Sequence, residues 1–139
     1  IGKLPSRAVL TEARIAIGTA SAGSTVRTAI YSFTGSSRVV SKVPSTEALF
    51  YGDATGLQTA AVSATIPAGR FFVAVKASNN AVGPTGLAAT TVSRTLPAFT
   101  FAGAAGELPL TLDLDLMTSD HTSIAIDVCY LSPEAARVL

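Results

Sequence analysis

Short runs of alternating apolar and polar residues, each closed by Gly, Pro, Ser or Asn, recur along the whole chain. A period of two puts one set of side chains on one face of an extended strand and the other set on the opposite face. No stretch of helical period competes, so the pattern outweighs the helix preference of the many alanines. Residues 8–18 (AVLTEARIAIG) place Val9, Thr11, Ala13, Ile15 and Ile17 on one face and Glu12 and Arg14 on the other. Residues 25–33 (TVRTAIYSF) divide into Val26, Thr28 and Ile30 against Arg27, Ala29, Tyr31 and Phe33. Further β-prone runs follow at Arg38–Val43, Thr46–Tyr51, Leu57–Ile66, Arg70–Ala77 and Thr122–Leu131, with one or two segments around Pro97. Leu108–Met117 (LPLTLDLDLM) alternates most cleanly, which predicts Leu108, Leu110, Leu112, Leu114 and Leu116 facing inward and Thr111, Asp113 and Asp115 facing out.

Ser21-Ala22-Gly23-Ser24, Thr34–Ser37, Gly52-Asp53 and Pro67-Ala68-Gly69 are turn signals, because Pro presets φ and Gly accepts positive φ. Residues 78–87 form the longest polar loop. The expected count is eight to ten strands, at the spacing of an all-β sandwich or barrel. At 139 residues there is room for one sizeable core. Residues 1–7 read as an N-terminal linker, 8–131 as the β domain and 132–139 as a C-terminal tail whose Ser-Pro-Glu could start a short helix.

Composition removes several function classes. The net charge is +1 without a basic stripe, so nucleic-acid binding is not expected. One Cys and one His give no material for a disulfide framework or a Cys/His zinc site, and no cofactor is expected. No run approaches the ~18 apolar residues of a membrane helix, so membrane insertion is not expected. Residues 1–7 lack the apolar centre of a signal peptide, and Ile1 in place of Met points to a fragment or a processed product. Charged residues make up only 14 %, against about 25 % in ordinary domains. Either a partner or identical copies cover part of that surface, or small polar residues suffice to keep it in water.

Each group capable of chemistry also has a plainer reading. His121 beside Asp120 lacks the serine elbow of a hydrolase and reads as a surface-loop histidine. Asp113 and Asp115 could contribute to a Ca²⁺ site, but no calcium loop accompanies them, and a solvated outer face is the simpler account. Cys129 reads as a buried structural thiol. No catalytic and no metal-ligating residue is therefore assigned. For ligand binding, Tyr51 and Asp53 at the end of one strand and Asn79 and Asn80 in the polar loop are the candidates, since binding residues concentrate on loops held by a rigid scaffold. Tyr31 and Tyr130 are further aromatic pieces, with burial and a wet hydroxyl as their alternative.

Two segments carry a family resemblance: residues 13–33 (ARIAIGTASAGSTVRTAIYSF) and residues 55–75 (TGLQTAAVSATIPAGRFFVAV). Their order of strand, Ala-Gly turn, V-R-x-x-I-Y strand, I-P-A-G-R and F-F-V-A-V resembles the small jelly-roll-like β-sandwich domains of tailed-bacteriophage virion proteins. Such domains occur in tail fibres, head fibres or spikes, and minor tail proteins. The resemblance implies an antiparallel, jelly-roll-like sandwich on the exterior of the virion. It implies a non-enzymatic structural role, other virion proteins as partners, a homo-oligomer with a trimer favoured, and host-surface polysaccharide as a ligand. A decoration protein that binds only other virion proteins, or a carbohydrate-binding module of a larger enzyme, are the alternatives. The absence of Trp weakens a flat glycan platform.

Overall fold

The structure, a computed structural model, describes residues 2–35, 37–84, 98–100, 107–120 and 126–131. These form β1 (Gly2–Leu4), β2 (Ala8–Thr19), β3 (Thr25–Phe33), β4 (Val39–Lys42), β5 (Ala48–Tyr51) and β6 (Gly56–Ile66). They continue with β7 (Gly69–Ala77), β8 (Gly83–Pro84), β9 (Ala98–Thr100), β10 (Thr111–Asp113), β11 (Thr118–Asp120) and β12 (Ile126–Leu131), and a 3-10 turn spans Leu114–Leu116. The chain is all-β with antiparallel pairing throughout the described residues. Twelve strands are described rather than eight to ten, because edge pieces of two or three residues carry no periodic signal of their own.

The first sheet runs β1-β7-β3-β4-β10, with β5 also on β3. β3 is its axis. β7 pairs along one edge from Val26↔Ala77 to Ser32↔Phe71. The other edge is shared by β5, opposite Thr25–Thr28, and β4, opposite Tyr31–Phe33. The second sheet runs β12-β2-β6, and β8 also pairs with β2. β9 and β11 form a separate two-stranded ribbon. The chain crosses between the two larger sheets from β7 to β8 and at each of the turns β1–β2, β2–β3, β5–β6 and β6–β7. At the last of these, Pro67-Ala68 ends one sheet and Gly69, with φ of 119°, opens the next.

Both sheets feed one apolar cluster. β2 and β6 contribute Leu10, Ile15, Ile17, Val62 and Ile66, and β3 and β5 contribute Val26, Ile30 and Phe50. The opposite face of β3 is buried as well. Ala29 and Tyr31 join Val40, Ala74, Leu108 and Leu112 in a second cluster, with Phe33 and Phe72 packed against it. Both faces of β3 thus follow the predicted alternation, and both are buried at the strand's centre, while Arg27 near its start remains 40 % exposed.

Three sequence expectations are corrected. Residues 2–4, read as part of a linker, pair with Gly69–Phe71, and Leu4 is buried in the shared cluster. The end of β7 offers unpaired main-chain groups there, and a three-residue strand is too short to show a period. Second, Val9 is not on the face of Ile15 and Ile17: it is 37 % exposed, while Ala8 and Leu10 are buried. The ladder shifts between Leu10 and Glu12 against β6, and between Cys129 and Tyr130 of β12 at the same place. A bulge inserts one residue and inverts the parity beyond it.

Third, residues 108–117 are not one alternating strand. Leu108 and Leu112 are buried, whereas Leu110 and Leu116 are 76 % and 80 % exposed. The chain bends at Leu110, pairs with β4 only over Thr111–Asp113, and then tightens into the 3-10 turn. Pro109 cannot donate to a ladder. The Asp113 side chain accepts from the Asp115 amide at 2.9 Å and caps the turn. Leu112→Ala should therefore cost about 2–5 kcal/mol of stability. Leu110→Ala should stay within about 0.5 kcal/mol. Urea unfolding of the two variants checks this, since five equally buried leucines would give two similar losses.

Candidate recognition surface

Three loops meet at one end of the molecule: residues 20–24 between β2 and β3, 52–55 between β5 and β6, and 78–82 between β7 and β8. Main-chain bonds join the first two, from the Ser21 amide to the Gly52 carbonyl and from the Gly52 amide to the Ser24 carbonyl, each 2.8 Å. The Ser24 hydroxyl, buried, donates to the Ser21 carbonyl at 2.5 Å. The third loop is tied through Ser78, whose hydroxyl accepts from the Thr25 amide and whose amide donates to the Thr25 carbonyl, both at 2.9 Å.

Gly52 sits at the junction of all three. A Cβ there would lie 2.0 Å from Ser24 Oγ and 2.7 Å from Val82 Cγ2. The Ser24 and Val82 side chains occupy the space that any side chain at this position would need. Gly52→Ala should cost about 1–3 kcal/mol through overpacking. Its chemical-shift changes should concentrate in residues 20–24 and 78–82, as a backbone NMR comparison would show.

Three of the four candidate ligand residues are anchored in this junction. Tyr51 is 61 % exposed, and its main chain is held on both sides by one side chain. Its amide donates to Gln58 Oε1 at 3.1 Å, and its carbonyl accepts from Gln58 Nε2 at 2.5 Å. The Gln58 amide thus substitutes for a neighbouring strand. Asp53 Oδ1 accepts from the Gly23 amide at 2.6 Å. Asn79 Oδ1 accepts from the amides of Ala81 and Val82 at 2.9 and 3.1 Å, closing its own loop. Asn80 is exposed on that same loop. Asp53 and Asn79 each use an oxygen to brace the backbone, so they shape the surface as much as they line it.

A second polar constellation lies on the first sheet. The Glu47 carboxylate takes Arg27 at 2.7 Å and Lys42 at 2.9 Å. Lys42 Nζ also donates to the Leu108 carbonyl at 3.0 Å, and the Tyr31 hydroxyl donates to the Pro109 carbonyl at 2.5 Å. The hydrogen bond from Lys42 holds the Glu47 carboxyl below its usual range; burial opposes this, and Arg27 assists it. Burial, with the Glu47 charge as a smaller cause, pushes the Tyr31 phenol up to about 12. Tyr31 has no exposed surface and is therefore a core residue with its hydroxyl bonded.

Both shifts make folding stability depend on pH. Glu47 contributes stability above its unfolded value of about 4.3, and that contribution disappears as pH falls through the lower folded value. Tyr31 contributes below its unfolded value of about 10, and its contribution is lost between there and about 12. The urea midpoint should fall at both limits. Glu47→Gln should flatten the acid limb and Tyr31→Phe the alkaline one.

Asp113 and Asp115 do not form a joint carboxylate pair: Asp113 caps the turn, and Asp115 pairs with Arg38 at 2.5 Å. Among the described residues no three His, Cys, Asp or Glu groups come together as metal ligands. No helix among them is long and apolar enough to cross a membrane. His121 and the tail 132–139 lie outside the described residues, as do the side chains of Cys129 and Tyr130. Sequence reasoning missed Gln58, Ser24, Lys42 and Glu47. A polar side chain that bonds across the fold leaves no local pattern. No family model, no curated protein and no solved structure matches this chain.

Proposed function

We propose that this chain is a non-enzymatic structural domain of a virion, displayed on its exterior, that recognises host-surface polysaccharide through the end formed by the three joined loops. The observation that carries the reading is Tyr51, an exposed aromatic ring on a backbone fixed from both sides by Gln58. A sugar ring stacks on such a face, and a backbone already held in place lowers the ordering cost of binding. Asp53, Asn79 and Asn80 supply polar groups beside it. On this reading the two sheets sharing the larger cluster are the layers of the jelly-roll-like sandwich that the resemblance implies, and the domain works as a homotrimer among other virion proteins.

A second reading, a decoration protein whose ligand is a neighbouring virion protein, is favoured by the exposed leucines Leu57, Leu110 and Leu116. Isolated apolar residues at a surface are ordinary, but three large ones on a weakly charged chain suit a covered surface. A glycan-array screen with light scattering on the same sample separates the readings. Host recognition gives a trimer with a reproducible glycan hit, weakened at least about tenfold (~1.4 kcal/mol) by Tyr51→Ala. A monomer without a hit leaves the decoration reading.

A further inference from the structure

The strand register sets Tyr51 at the corner of a polar patch on the outer face of the first sheet. Val26 and Ile30 point into the larger cluster, so Thr25 and Arg27 belong to the opposite face of β3. Tyr51 is directly across from Thr25, and Leu49 from Arg27. On the other edge of β3, Lys76 is across from Arg27. Thr25 gives its amide and its carbonyl to Ser78, and Tyr51 gives its own to Gln58. Thr25 and Tyr51 therefore exchange no main-chain bonds, and in such a pair the side chains stand closest. Arg27 is the diagonal neighbour of Tyr51, and residues so placed are about 7–8 Å apart, within reach of long side chains. A sugar ring with one substituent bridges that span.

Arg27 is held in place there. Glu47 Oε1 accepts from Arg27 Nη1 at 2.7 Å, and Glu47 Oε2 accepts from Lys42 Nζ at 2.9 Å. One carboxylate is thus shared by two cations, with both of its oxygens engaged. Among the described residues the guanidinium makes no other bond, and the side chain is 40 % exposed. Its remaining N–H groups are left for a ligand. Lys76 adds a further positive charge to the same row. Asp53, the acid of the loop end, is bonded to the Gly23 amide beyond the end of β5. A guanidinium fixed at one nitrogen presents the others in a planar fork that matches a carboxylate. Little ordering cost remains for that contact.

We propose that this patch makes the recognition surface selective for acidic polysaccharide. A sugar ring stacked on Tyr51 directs a carboxylate, as carried by a uronic or sialic acid residue, onto the guanidinium of Arg27, with the hydroxyls of Thr25 and Ser78 beside the ring. The proposal rests on the host-recognition reading and adds to it the class of sugar. A net charge of only +1 would not select an anion, so selectivity comes from where the cations are placed. Salt screens partly exposed charges, so the ionic contact weakens as ionic strength rises, whereas stacking on Tyr51 does not.

The test is a glycan array that carries uronate- and sialate-containing oligosaccharides beside the same oligosaccharides with their carboxyl groups reduced to alcohols. Binding should be confined to the carboxylate forms. Arg27→Gln should weaken it at least about tenfold, the loss of a hydrogen-bonded charge. Arg38→Gln removes the same charge at the other end of the sheet, where Arg38 pairs with Asp115, and should leave binding unchanged. A salt series on the unaltered chain needs no variant to fold, and binding to the carboxylate forms should fall as NaCl rises from about 50 to about 500 mM. Equal binding to the reduced forms, or binding to them alone, overturns the proposal and leaves host recognition standing. Unchanged affinity in Arg27→Gln overturns it, as does an equal loss in Arg38→Gln, because overall charge would then be what is read. No binding to either form removes the proposal and the host-recognition reading together.

Discussion

β3 is buried on both faces and paired on both edges, and the rest of the structure is arranged around that condition. A strand in this position needs partners for its main-chain groups: β7 supplies them on one side, and β5 and β4 on the other, where Ile30 between them donates to the Thr46 hydroxyl at 3.1 Å and accepts from the Val43 amide at 2.8 Å. It also needs apolar cover on two sides. Val26 and Ile30 face the cluster shared with the second sheet, and Ala29 and Tyr31 face the second cluster beneath residues 108–112. Tyr31 joins the two requirements, with a ring closed off from water and a hydroxyl held by the Pro109 carbonyl. A buried phenol without that acceptor would carry a desolvation cost of about 1–3 kcal/mol.

The polar side chains divide by where they act. At the loop end, Ser24, Asp53, Gln58, Ser78 and Asn79 bond to main-chain groups of loops and strand ends. The result is a rigid rim that displays Tyr51. On the first sheet, Lys42 links Glu47 of the β4–β5 connection to the Leu108 carbonyl. The Arg38–Asp115 pair at the far end is largely exposed, and such pairs add at most about 1 kcal/mol. The apolar contacts of Leu108, Leu112, Leu114 and Met117 therefore outweigh the ion pair in seating residues 107–117.

Strand positions, turns and the all-β class were legible from residue order alone, because period and turn chemistry are local properties. The two faces of β3 and the turns at Gly23 and Gly69 follow directly from them. That Tyr51 would end a strand, with Asp53 in the turn after it and Asn79 in a polar loop, was legible in the same way. Their convergence was not, since Gly52, Ser24 and Val82 come from three separate turns.

The sequence by itself determined which segments are extended, because side-chain alternation and chain reversal are set within a few residues. Only the tertiary structure decided which face is dry and where the alternation fails. Val9 turns outward because both neighbours of β2 shift register beside Thr11. Leu110 and Leu116 turn outward because residues 107–117 are shaped by partners about seventy positions away, Lys42 and Arg38 among them. Such contacts depend on which strands become neighbours, and that is settled by burying apolar area over the whole chain rather than within any one segment.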